Sequence, residues 1–237
     1  MITVRKSNDR GMGRHGWLTS HHTFSFANYY DPKHMGFRSL RVINEDTVAP
    51  GKGFGAHQHD NMEIISIVME GALAHRDSTG GDGVLHRGEV QRMSAGTGVT
   101  HSEFNGSDKE PVHFFQIWIM PAKDGIAPGY EQKMFPEDDR RGRLRLLAAP
   151  GAEDGAVDIH QDARLYSAIL DRAQSVRHEL GSGRGVWIQA TRGTIDVNGT
   201  TLNQGDGAAI ENETTLVISA PAGAETPSEI LLFDLGD

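Results

Sequence analysis

Short segments in which apolar and β-branched residues alternate with polar ones, or form brief apolar runs, recur along this chain of 237 residues. A period of two indicates a strand with one buried face. The clearest segments are 39–48, 62–71, 112–120, 184–199 and 214–221. Turn sequences such as GDGV, VNGT and NQGDG separate them. The best helical segment is PEDDRRGRL, which its internal glycine weakens. The pattern therefore predicts an all-β sandwich or barrel.

A segment at 121–160, in which polar and turn residues outnumber apolar ones, divides this pattern into two β units. Each unit reads as strand, glycine turn, strand, second glycine turn and strand, which suggests an internal duplication. We predict a first barrel over 1–122, a connecting segment over 123–160 and a second barrel over 161–237, with part of the second sheet supplied by the connecting segment. The paired turns are Glu70-Gly71 and Arg87-Gly88 in the first unit, and Arg192-Gly193 and Gln204-Gly205 in the second.

Composition narrows the classes of function. The chain has no cysteine, which excludes disulfides, thiol catalysis and cysteine-bound metal clusters. Its formal net charge is −9 and it has no dense block of Lys and Arg, so we expect no nucleic acid partner. No apolar run approaches the roughly 18 residues of a membrane helix, and the N-terminus lacks the apolar stretch of a secretory signal. We expect a cytoplasmic protein that does not bind membranes.

Two pairs of potential metal ligands stand out among the 12 histidines. His57 and His59 precede an apolar run, and His101 and Glu103 follow some forty residues later. Because residues two apart in a strand point to the same face, each pair can converge on one point inside a barrel. Three imidazoles and one carboxylate suit Fe, Mn, Ni, Cu, Zn or Co, and are too rich in nitrogen for Ca or Mg.

The remaining histidines lack such spacing. His75, His86 and His113 sit in or beside strands without ligand-like partners, and we interpret them as hydrogen-bonded or surface groups. The adjacent His21 and His22 precede Thr23-Phe24-Ser25-Phe26 and could reach the metal pocket, but a structural role in the N-terminal strand is the favoured interpretation.

The spacing of these ligands resembles the two motifs of the cupin superfamily. The first motif, G-x5-H-x-H-x3,4-E-x6-G, is followed with one extra residue before its last glycine, and the second, G-x5-P-x-G-x2-H-x3-N, is followed at its end. The matching positions are Gly51, His57, His59, Glu63 and Gly71 in the first motif and Gly98, His101 and Asn105 in the second.

Longer blocks narrow the resemblance to the pirin family. The runs HTFSFANYYDP (22–32), MGFRSLRVINEDTV (35–48) and MSAGTGVTHSE (93–103) look like signatures of that family, and the second half resembles its bacterial, quercetin 2,3-dioxygenase-like branch. The resemblance implies a bicupin, with two antiparallel jelly-roll β-barrels in one chain. It also implies that one divalent metal is held by His57, His59, His101 and Glu103, whereas most cupins use the position of Glu63.

The family resemblance implies an enzyme, a quercetin 2,3-dioxygenase-like oxidoreductase that opens the ring of flavonols with O2. Fe(II) is the favoured metal. We expect Glu103 to accept the substrate proton, with Glu63 as the second choice, and we expect a monomer. One alternative is a non-enzymatic regulatory protein that senses metal or redox state. Another is a cupin enzyme that uses its metal as a Lewis acid without O2. Oxygen consumption and turnover would separate the three.

Overall fold

Short strands joined by glycine turns follow one another along nearly the whole chain, as the alternating pattern predicts. The computed structural model describes residues 1–236. The first half contains twelve strands: β1 (Ile2–Arg5), β2 (Gly11–Arg14), β3 (Leu18–His22), β4 (Leu40–Val48), β5 (Gly53–His59), β6 (Glu63–Glu70), β7 (Ala72–Asp77), β8 (Asp82–His86), β9 (Glu89–Ser94), β10 (Val99–Asn105), β11 (Val112–Ile119) and β12 (Gly129–Met134).

The second half repeats this style. After one short helix, α1 (Glu137–Arg140), come β13 (Arg145–Ala149), β14 (Val157–Asp158), β15 (Ala163–Leu170), β16 (Ser175–Glu179), β17 (Gly185–Arg192), β18 (Thr194–Val197), β19 (Thr200–Asn203), β20 (Gly207–Ile210), β21 (Thr215–Ser219) and β22 (Ser228–Leu235). Short 3₁₀ turns occupy 7–9 and 150–155. In the described residues no helix is long and apolar enough to span a membrane.

Each half pairs a seven-stranded sheet with a four-stranded one. In the first half the sheets run β12-β9-β6-β11-β4-β3-β2 and β5-β10-β7-β8, and in the second β1-β20-β17-β22-β15-β13-β14 and β16-β21-β18-β19. All neighbours are antiparallel except β13 and β14. The predicted all-β bicupin architecture is confirmed.

The glycine turns occupy corresponding places in the two halves. Gly71 joins β6 to β7 and Gly193 joins β17 to β18, with φ of 81° and 70°. A Cβ at Gly193 would lie 2.8 Å from the Ser228 Oγ, and one at Gly71 would lie 2.6 Å from the Pro111 carbonyl oxygen. Both positive φ and close packing therefore require glycine at this turn.

Two strands, β1 and β12, pair across the predicted segment boundaries. Strand β1 lies in the first segment but pairs with β20 of the second half. Within the predicted connection of 123–160, β12 pairs with β9 of the first half, while β13 and β14 join the second. The connection is thus divided between the two large sheets.

Apolar side chains from both halves form one shared core between the large sheets. It includes Ile65 and Phe115 from the first half and Trp187 and Phe233 from the second. Arg140 and Arg87 reinforce the junction, because both donate to Glu229, at 2.6 Å and 2.9 Å.

The interiors of the two barrels differ. The second barrel is filled by apolar side chains, among them Val186, Ile188 and Ile218. In the first barrel an apolar cluster that includes Phe114 and Leu73 fills one end, and the remainder is a cavity with polar walls. The fold therefore leaves space for chemistry in the first barrel.

Candidate metal centre

Strands β5 and β10 hold the four predicted ligands side by side. In their antiparallel pairing His101 faces His57, and Val99 faces His59. Along β10 burial alternates, so that His101 and Glu103 are buried on one face while Ser102 is only partly buried on the other. The spacing of two therefore directs both side chains inward, as the strand period requires.

A bulge in β5 adjusts the position of the first pair. The register with β10 shifts between His101 and Glu103, which face His57 and Phe54 respectively. Ser102 of β10 alone thus opposes Gly55 and Ala56 of β5, and the extra residue bends β5 locally. Phe54, which faces Glu103 across this bulge, also lines the cavity.

The three imidazoles converge on one point. Their closest ring nitrogens all lie within 4.8 Å of one another, and the Nε2 atoms of His57 and His101 are 3.0 Å apart. The His57 Nδ1 lies 2.8 Å from the Gly55 carbonyl oxygen. Because a carbonyl only accepts hydrogen bonds, Nδ1 carries the proton and Nε2 presents its lone pair to the cluster.

Burial keeps two of these rings neutral. It lowers the pKa of His59 to about 4, with a further contribution from His57. Burial also lowers the pKa of His101 to about 3, and the neighbouring histidines His57, His59 and His75 add to the shift. Neutral imidazole is the form that binds metals, so the cluster is ready to coordinate a cation at neutral pH.

Glu103 lies beside the histidines, deeper in the barrel. Its carboxylate accepts hydrogen bonds from Gln116 Nε2 at 2.6 Å and from Ser66 Oγ at 3.2 Å. Burial raises the pKa of Glu103 to about 7, although both hydrogen bonds oppose the shift. One Glu103 oxygen and one nitrogen each of His101 and His75 lie within 4.8 Å of one another. His101 is the one residue that this group shares with the three-histidine cluster in the described part of the chain.

The donor set fits a divalent transition metal. Metal–nitrogen bonds of about 2.0–2.1 Å at right angles place two ligand nitrogens about 3.0 Å apart, and the two Nε2 atoms of His57 and His101 lie 3.0 Å apart. Nitrogen donors with one nearby carboxylate favour transition metals over Ca or Mg. The residues present therefore suit the metal that the sequence predicts.

The cluster opens into a cavity of about 390 Å³, within the range typical of small-molecule sites. Aromatic side chains form much of its wall: Trp17 packs edge-on against Phe54 at 5.3 Å, and Trp118 packs edge-on against His59 at 4.9 Å. Phe26, from the segment between β3 and β4, also lines it. Such walls suit a planar aromatic ligand.

Glu63 does not join this cluster. It is fully buried, with its carboxylate accepting from Ser94 Oγ at 2.9 Å and lying 3.3 Å from His160 Nδ1. Ser66, three residues later on β6, points to Glu103 instead. Because alternate residues of a strand face opposite ways, Glu63 faces the second half of the chain rather than the cavity. The structure therefore separates Glu63 from the other predicted site residues.

Several side chains outside the predicted ligand set lie around the cluster. His75 was interpreted as a satisfied polar group; its Nε2 lies 2.9 Å from Asp77 and its Nδ1 3.3 Å from Gln91, but its ring also packs 5.3 Å from that of His101. The available sequence signal was that His75 and Asp77 lie two residues apart on one strand, so that their side chains share a face. His22 lines the cavity, held by Asn44 at 2.8 Å. A further group, Asp46, also lines the cavity.

Family models match both halves of the chain. A model described as Pirin matches residues 4–119, and one described as Quercetinase C-terminal cupin domain matches 146–235. Among curated proteins, the chain is 50% identical over 236 residues to "Quercetin 2,3-dioxygenase" of Escherichia coli K12, covering 99% of each chain. It is 43% identical to "Pirin-like protein" of Caulobacter vibrioides, covering 95% of this chain and 97% of that one.

A solved structure of a relative has the same fold. The crystal structure of bacterial pirin YhhW from Escherichia coli in complex with nickel(II) superposes with a TM-score of 0.93 at 47% identity, covering 100% of this chain and 99% of that chain.

Proposed function

Because this chain belongs to the pirin family, as its sequence resemblance predicted, we propose that it is a metal-dependent dioxygenase that opens the ring of flavonols such as quercetin with O2. The observation that carries the proposal is the convergence of three imidazoles at the wall of an aromatic-lined cavity. Relatives named quercetin 2,3-dioxygenase support the substrate class, since they match along almost the whole chain. By this relationship the chain is a quercetin 2,3-dioxygenase-like oxidoreductase.

One divalent metal would be held by His57, His59, His101 and Glu103. When bound, it would lower the pKa of a coordinating substrate hydroxyl and polarise the adjacent carbonyl. Fe(II) is the ion we propose; the nickel(II) complex of a relative supports the choice of a divalent transition metal and makes nickel the first alternative.

The chain's own residues position the substrate and handle its proton. The aromatic wall around the cluster would hold a flat flavonol against the histidines and exclude water from the reacting atoms. A buried carboxylate beside the three imidazoles can act as a general base. Glu103 is therefore the proposed acceptor of the substrate hydroxyl proton. Glu63 is excluded from this proposed role because it faces away from the cavity.

Oxygen uptake tests this proposal. Protein reconstituted anaerobically with Fe(II), and in parallel with Ni(II) and Mn(II), is mixed with quercetin and O2 while both oxygen and flavonol absorbance are followed. We expect coupled, metal-dependent loss of both, absent in His59→Ala. The matched control is His113→Ala, because His113 contacts Glu45 on another strand pair. Stoichiometric metal without oxygen uptake would refute the dioxygenase and favour a regulatory or non-oxidative role.

A further inference from the structure

A buried carboxyl lies in the same cavity, apart from the four predicted ligands. Asp46 on β4 lines the cavity with only 4% of its surface exposed. Its Oδ1 has no hydrogen-bond partner within residues 1–236. Ser20 faces it across the β3–β4 pairing and also lines the cavity. The carboxyl is therefore both enclosed and incompletely satisfied.

The surroundings do not explain this carboxyl as a structural group. No lysine or arginine is among the cavity-lining side chains of the described chain, so no cation there compensates its charge. A buried polar atom without a partner costs about 1–3 kcal/mol. Burial raises the pKa of Asp46 to about 7, against the opposing effect of Ser20. A ligand hydroxyl in the cavity would supply the hydrogen bonding that the protein does not give this carboxyl.

Strand register places Asp46 at the far end of the cavity from Trp118. On β11, Gln116 contacts Glu103 and pairs with Asn44, whereas Asp46 pairs with Phe114, two residues further along. Trp118 lies two residues from Gln116 in the opposite direction, against His59.

Apolar groups surround this end. Leu18 lies two residues from Ser20 on β3, and the Trp17–Phe54 pair completes the wall. The cavity thus has a metal-binding part and, beyond it, an apolar slot with one carboxyl.

We propose that this slot binds a hydroxylated aromatic ring of the substrate, with the Asp46 carboxyl hydrogen-bonded to a ring hydroxyl and the Trp17 and Phe54 side chains packed on the ring. The inference rests on the proposed function, because it assumes a flavonol bound at the metal. It adds a specificity requirement within that substrate class, namely hydroxyls on a ring other than the one that reacts. Asp46 is a specificity-determining residue in this account, while the metal ligands remain the reaction centre.

Anaerobic binding measurements test the slot without requiring turnover. Trp17 and Trp118 line the cavity, so ligand binding is followed as quenching of tryptophan fluorescence in the nickel-loaded protein. The two probes are quercetin and 3-hydroxyflavone, which keeps the chelating edge but lacks the other ring hydroxyls. The variant Asp46→Leu removes all hydrogen bonding at similar volume. Asp46→Asn keeps the shape and a neutral acceptor.

Loss of a hydrogen bond to a buried carboxyl corresponds to about a tenfold weaker Kd. We expect Asp46→Leu to weaken quercetin by this factor and to leave 3-hydroxyflavone within about twofold, with Asp46→Asn restoring most quercetin binding. If Asp46→Leu does not fold, Asp46→Val, which also removes all hydrogen bonding at this position, is measured in its place. Unchanged Kd values for both probes in the apolar variant, or equal weakening of both probes, overturn the slot but leave the proposed function standing. Failure of both probes to bind the wild type overturns both.

Discussion

Replacing Glu103 by Gln should make the stability of the metal-free protein depend differently on pH. Burial raises the pKa of this carboxyl from 4.5 to about 7, a shift that corresponds to about 3 kcal/mol. Below pH 4.5 the group is neutral in both the folded and the unfolded state. Between pH 4.5 and 7 the folded state binds more protons than the unfolded state, so the wild type loses stability as the pH rises. Glu103→Gln does not titrate and avoids this loss.

Urea denaturation of metal-free wild type and variant at pH 5, 6, 7 and 8 measures the effect. The free energy of unfolding of Glu103→Gln, relative to wild type, should increase by about 2.5 kcal/mol across this range. Only the change with pH matters, because the substitution can also alter the hydrogen bonds to Ser66 and Gln116 by a constant amount. Glu110→Gln, at an exposed glutamate, is the matched control. A difference that stays constant with pH would refute the raised pKa of Glu103.

Three further variants test the surroundings. Gln116→Met removes the hydrogen-bond donor to Glu103 and should move the pH midpoint of nickel binding upward by about one unit in calorimetric titrations. The same substitution at the exposed Gln58 should leave the midpoint unchanged. Equal midpoints in Gln116→Met and wild type would refute a role of the Gln116–Glu103 hydrogen bond in metal binding. Glu229→Gln breaks the buried ion pair with Arg140 and should lower the free energy of unfolding by about 3 kcal/mol. An unchanged free energy of unfolding in urea denaturation would contradict this prediction. Gly193→Ala should destabilise more than Gly199→Ala, because both have positive φ but only the first lacks room for a Cβ; equal thermal shifts would argue against crowding.

The ligand strands were predictable from the sequence because their pattern is local. Along β10 the spacing of two places His101 and Glu103 on one face, and the observed burial alternates accordingly. The pairing of β10 with β5 also brings His57 opposite His101, as two neighbouring ligand strands require. The bulge in β5 falls at Gly55 and Ala56, and the glycine was the available signal, because glycine inside a strand often marks a bulge.

The sequence could not predict which face of β6 Glu63 occupies. Strand β6 is buried on both faces and reads as a nearly continuous apolar run, so the sequence does not say which face a given residue takes. Similarly, the pairing of β1 with β20 joins segments about 200 residues apart, and a pattern read within a short window contains no information about it. The cavity carboxyl Asp46 was missed because an acidic residue in an alternating strand normally indicates the solvent face.

Metal content of His101→Ala tests the central claim most directly. Wild type, His101→Ala and the control His113→Ala are loaded with Ni(II), desalted and measured by inductively coupled plasma mass spectrometry. Four ligands that include His101 predict one metal per chain in the wild type and the control, and almost none in His101→Ala. A full equivalent of metal retained in His101→Ala, in a folded protein, would contradict the site proposed here and the mechanism that depends on it.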